Sequence, residues 1–326
     1  KHKVLLPKFT KFQNIIVGSY KWFIVIFLIL LVPAYIGNNN YKVYYKLDES
    51  LPDDLAFNIA NSKLAEQFNI ISPEIIILNK DLKTTDINNL VKELKSVEGI
   101  DMVLSPSLLV NESIQNLLPE DISKITNNRN YQLIIINSTY EIASPELESQ
   151  IETVNDIVKK YDDKGIIAGE GPLMNDLVQI ADHDFKMVNY TSIIVIFIIM
   201  ILVLKQVNLP ILLIITIEFA IFINMSIPYY TNVSLPFIAS IVVGTIQLGA
   251  TIDYAILLST TYLNLRKEIK DQKSAMKQTL ELTMPSIITS ALCFFAATFA
   301  VAIYTQIDMI GSICTLLARG SIISML

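Results

Sequence analysis

The chain has 326 residues, 52% of them hydrophobic and only 17% charged, with a mean hydropathy of +0.48, so its average residue is more apolar than a water-soluble fold tolerates. Its net charge of -6 gives no basis for a nucleic-acid partner. With His2 and His183 far apart, and Cys293 and Cys314 both in apolar runs, no zinc-ligand spacing exists and no disulfide framework is expected; the two thiols are expected to be buried and free.

A hydrocarbon core about 30 Å thick needs roughly 20 mostly apolar helical residues. The first such run, Ile15 to Ile36, follows a basic lead of Lys1, Lys3, Lys8 and Lys11. No small-residue cleavage site follows it, so it reads as an anchor and not a signal peptide.

From Gly37 to Lys186 the composition becomes that of a water-soluble domain. It reads as strand Glu74 to Leu78, helix Thr85 to Ser96, strand Ile100 to Leu104, strand Tyr131 to Asn137, helix Pro145 to Tyr161 and strand Gly165 to Ala168. That β-α-β-β-α-β order predicts a ferredoxin-like sandwich, four antiparallel strands with two helices on one face. An insertion, Ser105 to Asn130, is expected to hold a short helix around Pro119 to Ile125.

Four long apolar runs follow, Val188 to Leu204, Leu209 to Ile227, Leu235 to Thr261 and Leu282 to Tyr304, and a further one begins at Ile307. Most connections between them are short, which makes neighbours antiparallel and predicts a membrane helix bundle over residues 187–326. The charged segment Tyr262 to Thr279 reads either as an amphipathic helix on the inner membrane surface or as a solvated connection. Lys205 and the cluster Arg266, Lys267, Lys270, Lys273 and Lys277 fall with the N-terminal lead on one side, the expected cytoplasmic side of the cell membrane; residues 37–186 fall outside. The non-Met start and the end inside an apolar run read as a piece of a longer protein.

Charged residues inside such runs are costly, about 2.5–3.5 kcal/mol for an Asp at a helix centre. Asp253, beside Tyr254 in GTIQLGATIDYAILL, is the clearest case. Thr245, Gly249 and Asp253 share one helical face, a small-and-polar stripe expected to meet another helix or a wet cavity and not lipid. A carboxyl in that setting suits binding and releasing a proton. Gln247 and Thr251 suit hydrating or hydrogen-bonding the same site, although Thr is also common in membrane helices for packing alone. Glu218, six residues before Asn224, suits either a relay or a structural hydrogen bond. Asp308 is expected at an interface or helix start, and Arg319 to pair with an acid or snorkel. No nucleophile elbow, phosphate-cradling glycine loop or metal motif appears, and no enzyme active site is expected.

A single helix, an external α/β domain and a bundle carrying Gly249-Ala-Thr-Ile-Asp253-Tyr254 resembles the repeating half of the resistance-nodulation-division superfamily, specifically its MMPL branch. The runs NNNYKVYYKLDESLPDDL, EFAIFINMSIPYYTNVSLPFIASIVVGTIQLGATIDYAILL and SALCFFAATFAVAIYTQIDMIGSICTLLARGSIISM are similar to Gram-positive, Clostridia-type members. The resemblance implies two halves of six membrane helices each, with this chain being one half and its basic start resembling the entry to the C-terminal one. It also implies export of lipids or other hydrophobic compounds driven by the proton gradient, with no further cofactor. Asp253 and Tyr254 would be the proton-relay pair, the external domain a porter domain, and the missing half or a second copy of the chain the partner. A protein-translocation accessory of the SecDF kind shares the helix plan, and a non-transporting membrane sensor or scaffold is the reading from another class.

Overall fold

The structure, a computed structural model, describes residues 10–45, 50–105 and 130–326, with the side chains of residues 10–12 and 182 excepted; the helix expected around Pro119 to Ile125 lies outside the described residues. In chain order the elements are α1 (Thr10–Gly18), α2 (Tyr20–Asn40), β1 (Val43–Tyr44), α3 (Ala56–Phe68), β2 (Ser72–Asn79), α4 (Thr84–Lys95), β3 (Ile100–Leu104) and β4 (Tyr131–Ser138). Then come α5 (Pro145–Tyr161), β5 (Ile166–Gly169), α6 (Glu170–Leu204), α7 (Asn208–Thr231), β6 (Leu235–Pro236), α8 (Ala239–Glu268), α9 (Gln272–Tyr304) and α10 (Asp308–Met325). They form two compact units, one made of Lys1–Tyr44 with His183–Leu326, the other of Tyr45–Asp182.

In the second unit, β2 alternates strictly: Ser72, Glu74, Ile76 and Leu78 are buried, while Pro73, Ile75 and Asn79 are exposed. Side chains on a strand point to opposite faces in turn, so this is a sheet with one covered face. The sheet order is β3-β4-β2-β5 and every pairing is antiparallel, with Ile76 opposite Ile134 and Ile167. Leu90 and Leu94 of α4 and Val154 and Val158 of α5 lie in one core with Ile76, Leu78, Ile134 and Ile136, all essentially inaccessible to solvent. Each such burial stabilises by roughly 1.5–3 kcal/mol.

Local signals set the helix ends. Ser144 Oγ accepts from Leu147 N–H at 3.2 Å with Pro145 in the first turn of α5, while Lys159 and Lys160 occupy the last. Helix α3 is unanticipated by the strand-and-helix reading. None of its residues is buried, and it stops at Asn69 in the left-handed conformation, φ 55°, where the Asn69 N–H donates to Ala65 C=O.

The first unit is a helix bundle. Among the described residues six helices, α2 and α6 to α10, are long and apolar enough to cross a membrane. Their outward faces are apolar, with Trp22 and Leu202 each 70% exposed, as expected of surfaces that meet lipid. The expected first run is interrupted at Ser19, so residues before it form the separate short α1, whose Val17 packs with Leu280 and Met284 of α9.

Helix α6 begins at Glu170, well before the expected run at Val188. Leu235 and Pro236, expected inside a helix, form β6 paired in parallel with β1. The segment Tyr262 to Thr279 is not one element: α8 absorbs it through Glu268 and α9 starts at Gln272, where Asp271 caps the Ser274 N–H at 2.8 Å.

Helix α2 lies close against α7 because of one glycine. A Cβ on Gly37 would sit 2.9 Å from Ser226 Cα, too close for any side chain. Phe27 stacks obliquely on Phe219 at 4.1 Å and Tyr35 meets Phe222 edge-on. The bundle core gathers Ile217, Ile221 and Met225 of α7, Ala239, Val243 and Leu248 of α8, and Leu316 and Leu317 of α10.

Cys293 is exposed on α9 and Cys314 half-buried on α10. The expectation of two buried thiols is therefore wrong. An apolar run has a lipid side as well as a packed side, and composition does not distinguish them.

Candidate functional site

Two polar constellations occupy the bundle, on different faces of α8. The first is the stripe Thr245–Gly249–Asp253. Gly249 and Asp253 are exposed, and a Cβ on Gly249 would meet nothing within 4 Å. Thr245 is half-buried and donates its hydroxyl to Ile241 C=O at 2.7 Å. The side chains of Asp253 and Tyr254 make no hydrogen bond among the described residues. The helical-face expectation thus gives one continuous stripe, but no helix of this chain packs on its Gly249 centre among the described residues. An acid on such a helix is costly against lipid, and this stripe meets no side-chain partner among the described residues.

The second constellation is closed. Asn224 of α7 is fully buried, and its Nδ2 donates to Gln247 Oε1 of α8 at 2.8 Å and to Leu316 C=O of α10 at 2.9 Å. Gln247 Nε2 donates to Ser324 Oγ at 2.9 Å. Arg319 of α10 donates from Nε to Asn224 Oδ1 and from Nη2 to the Asn224 carbonyl, both at 2.8 Å. The Thr251 hydroxyl donates to Gln247 C=O at 2.6 Å. Three helices are tied together here by neutral amides and one guanidinium.

Gln247 and Thr251 therefore do not serve Asp253, contrary to expectation. Helical geometry gives the reason: at about 100° per residue, positions six apart lie about 120° from each other around the axis, whereas Gln247 and Thr251, four apart, share a face. The same arithmetic separates Glu218 from Asn224. Glu218 Oε1 is buried and has no hydrogen-bond partner among the described residues, so no structural hydrogen bond within them holds that oxygen. Arg319 pairs with no acid among the described residues; it is held by Asn224. The sequence signal for this network was three polar residues in three separate apolar runs, with nothing local to say that they meet.

Asp308 opens α10, and one of its oxygens accepts the Tyr44 hydroxyl at 3.0 Å. Between it and Arg319 lies a cavity of about 490 Å³. Among the described residues no group of three or more His, Cys, Asp or Glu side chains could hold a metal ion.

No curated protein matches the chain. The model of the MMPL family matches residues 84–326, the α/β unit from α4 onward and five of the six long apolar helices among the described residues. With that match over most of its length, this multi-pass membrane protein belongs to the MMPL family, a family of transporters of hydrophobic compounds.

Proposed function

We propose that the protein exports lipids or other amphiphilic compounds across the cell membrane using the proton gradient, with Asp253 and Tyr254 as its relay pair. The observation that carries the reading is the exposed stripe of Thr245, Gly249 and Asp253 on a membrane-spanning helix. An ionisable group there is expensive unless it takes part in ion movement, and this one has no structural partner in its own chain among the described residues.

A stripe narrowed by Gly249 allows close approach of a second helix, so a second repeat or a second copy of the chain completes the relay. The β-α-β-β-α-β unit, with its β3-β4-β2-β5 antiparallel order, is read as a ferredoxin-like porter domain outside the membrane, receiving substrate. The basic end formed by Lys205, Arg266 and Lys267 faces the cytoplasm in this reading.

The test is Asp253→Asn, assayed for accumulation of a fluorescent lipid in cells with and without a proton uncoupler. Loss of export in a variant that is still inserted at normal levels supports the relay. Full export by that variant, or export indifferent to the uncoupler, overturns it.

A further inference from the structure

Helix α10 carries Asp308, Ser312, Thr315 and Arg319 at spacings of four, three and four, which is one helical face. All four line the cavity of about 490 Å³, whose other walls come from α7, β6 and the end of α9 through residues such as Thr231 and Leu235. The volume is that of an ordinary small-ligand site. Asp308 and Arg319 are eleven residues apart, so the polar face runs about 16 Å down the helix, from its first turn to well inside the bundle.

At the inner end stands a cation without a counter-charge. Arg319 spends Nε and Nη2 on the neutral oxygens of Asn224, which fixes the plane of its guanidinium. Nη1 makes no hydrogen bond among the described residues, and no carboxylate of theirs lies within ion-pairing distance. Asp308 stands eleven residues, about 16 Å, up the helix axis and accepts the Tyr44 hydroxyl, so it forms no ion pair with Arg319. A guanidinium inside a membrane bundle is costly unless paired, and its fork geometry matches phosphate and carboxylate oxygens.

We propose that this cavity is a binding site for an anionic group, a phosphate or carboxylate, taken on Arg319 with Ser312 and Thr315 lining its approach, and that the group is the head of an anionic amphiphile. The apolar wall of Leu235 and Leu316 suits the adjoining hydrocarbon. The choice of an amphiphile rests on the transport reading above; the anion site itself rests only on the cavity and the unpaired guanidinium.

The experiment is native mass spectrometry of the whole chain in neutral detergent, titrated with phosphatidylglycerol, with phosphatidylcholine of the same tails, and with inorganic phosphate as competitor. Phosphatidylglycerol binds in preference to phosphatidylcholine, and Arg319→Gln weakens it by about 10- to 100-fold, the worth of a hydrogen bond to a charged group, leaving phosphatidylcholine unchanged. Ser312→Phe, which fills the approach and touches no part of the Asn224 network, blocks phosphatidylglycerol as well, so the result does not hang on the folding of the Arg319 variant. Displacement by millimolar phosphate assigns the site to the anion alone; failure of phosphate to compete, with the lipid still bound, assigns it to the lipid head with its tails. Equal binding of the two lipids together with no phosphate effect overturns the proposal. So does undiminished phosphatidylglycerol binding by Arg319→Gln, including a case where that variant only dissociates an oligomer. Asp253→Asn keeps its lipid binding whatever happens to transport, so failure of the relay and failure of this site are told apart.

Discussion

Gly320 and Asn224 are in such close register that any side chain at position 320 displaces the amide network: a Cβ there would lie 2.6 Å from Asn224 Nδ2 and collide outright with Gln247 Oε1. The amide network exists because one residue of α10 has no side chain. Gly320→Ala therefore forces apart three helices or breaks the Asn224–Gln247 bond. Overpacking of this kind costs about 1–3 kcal/mol. The thermal unfolding midpoint of the purified protein in detergent falls accordingly, and an unchanged midpoint contradicts the close contact.

Asn224→Leu removes the acceptor of Arg319 Nε and the donor to Gln247 in one step. Each buried polar group left unpaired costs about 1–3 kcal/mol, more where it is charged. Gln247→Leu strands no charge, because the Arg319–Asn224 bonds survive it. Asn224→Leu is thus the more destabilising of the two, measured as loss of folded protein on heating; the reverse order contradicts the assignment of Asn224 as the hub.

Gly249→Leu tests the stripe on the other side of α8. Nothing among the described residues lies within 4 Å of a Cβ at this exposed position, so fold and midpoint stay within about 0.5 kcal/mol of the parent. Transport is lost, because the helix that approaches Asp253 can no longer do so. A Gly249→Leu protein that melts early places this face inside the chain's own packing instead.

Glu74 gives a pH dependence. Its side chain is 1% exposed on the covered face of the sheet, Oε1 lacks a partner, and burial raises its carboxyl to about 7 from an ordinary 4.5. The folded state therefore holds the proton more tightly than the unfolded chain. The stabilisation, about 3 kcal/mol, is fully present below pH 4.5 and is lost as pH rises through 7. Glu74→Gln removes the titration. The midpoint difference between parent and variant shifts against the parent from pH 5 to pH 8; a constant difference shows that Glu74 does not titrate there.

Much of the architecture was legible in the chain because its causes are local. Runs of some twenty apolar residues exclude water-soluble alternatives at Tyr20–Asn40 and Asn208–Thr231, and the period-two burial of β2 and the capping Ser144 and Pro145 of α5 belong to their own segments. The stripe from Thr245 to Asp253 was legible for the same reason, since 3.6 residues per turn decides which side chains on one helix are neighbours. What helical spacing does not decide is which other helix each face meets. That Asn224, Gln247 and Arg319 converge, that Gly249 opens outward while Gly320 is pressed shut, and that Cys293 is exposed depend on contacts between residues up to 95 positions apart. Those contacts are set by the packing of whole helices, where the cost of an unpaired buried polar group and the room left by a missing side chain choose the rotation of each helix against its neighbours.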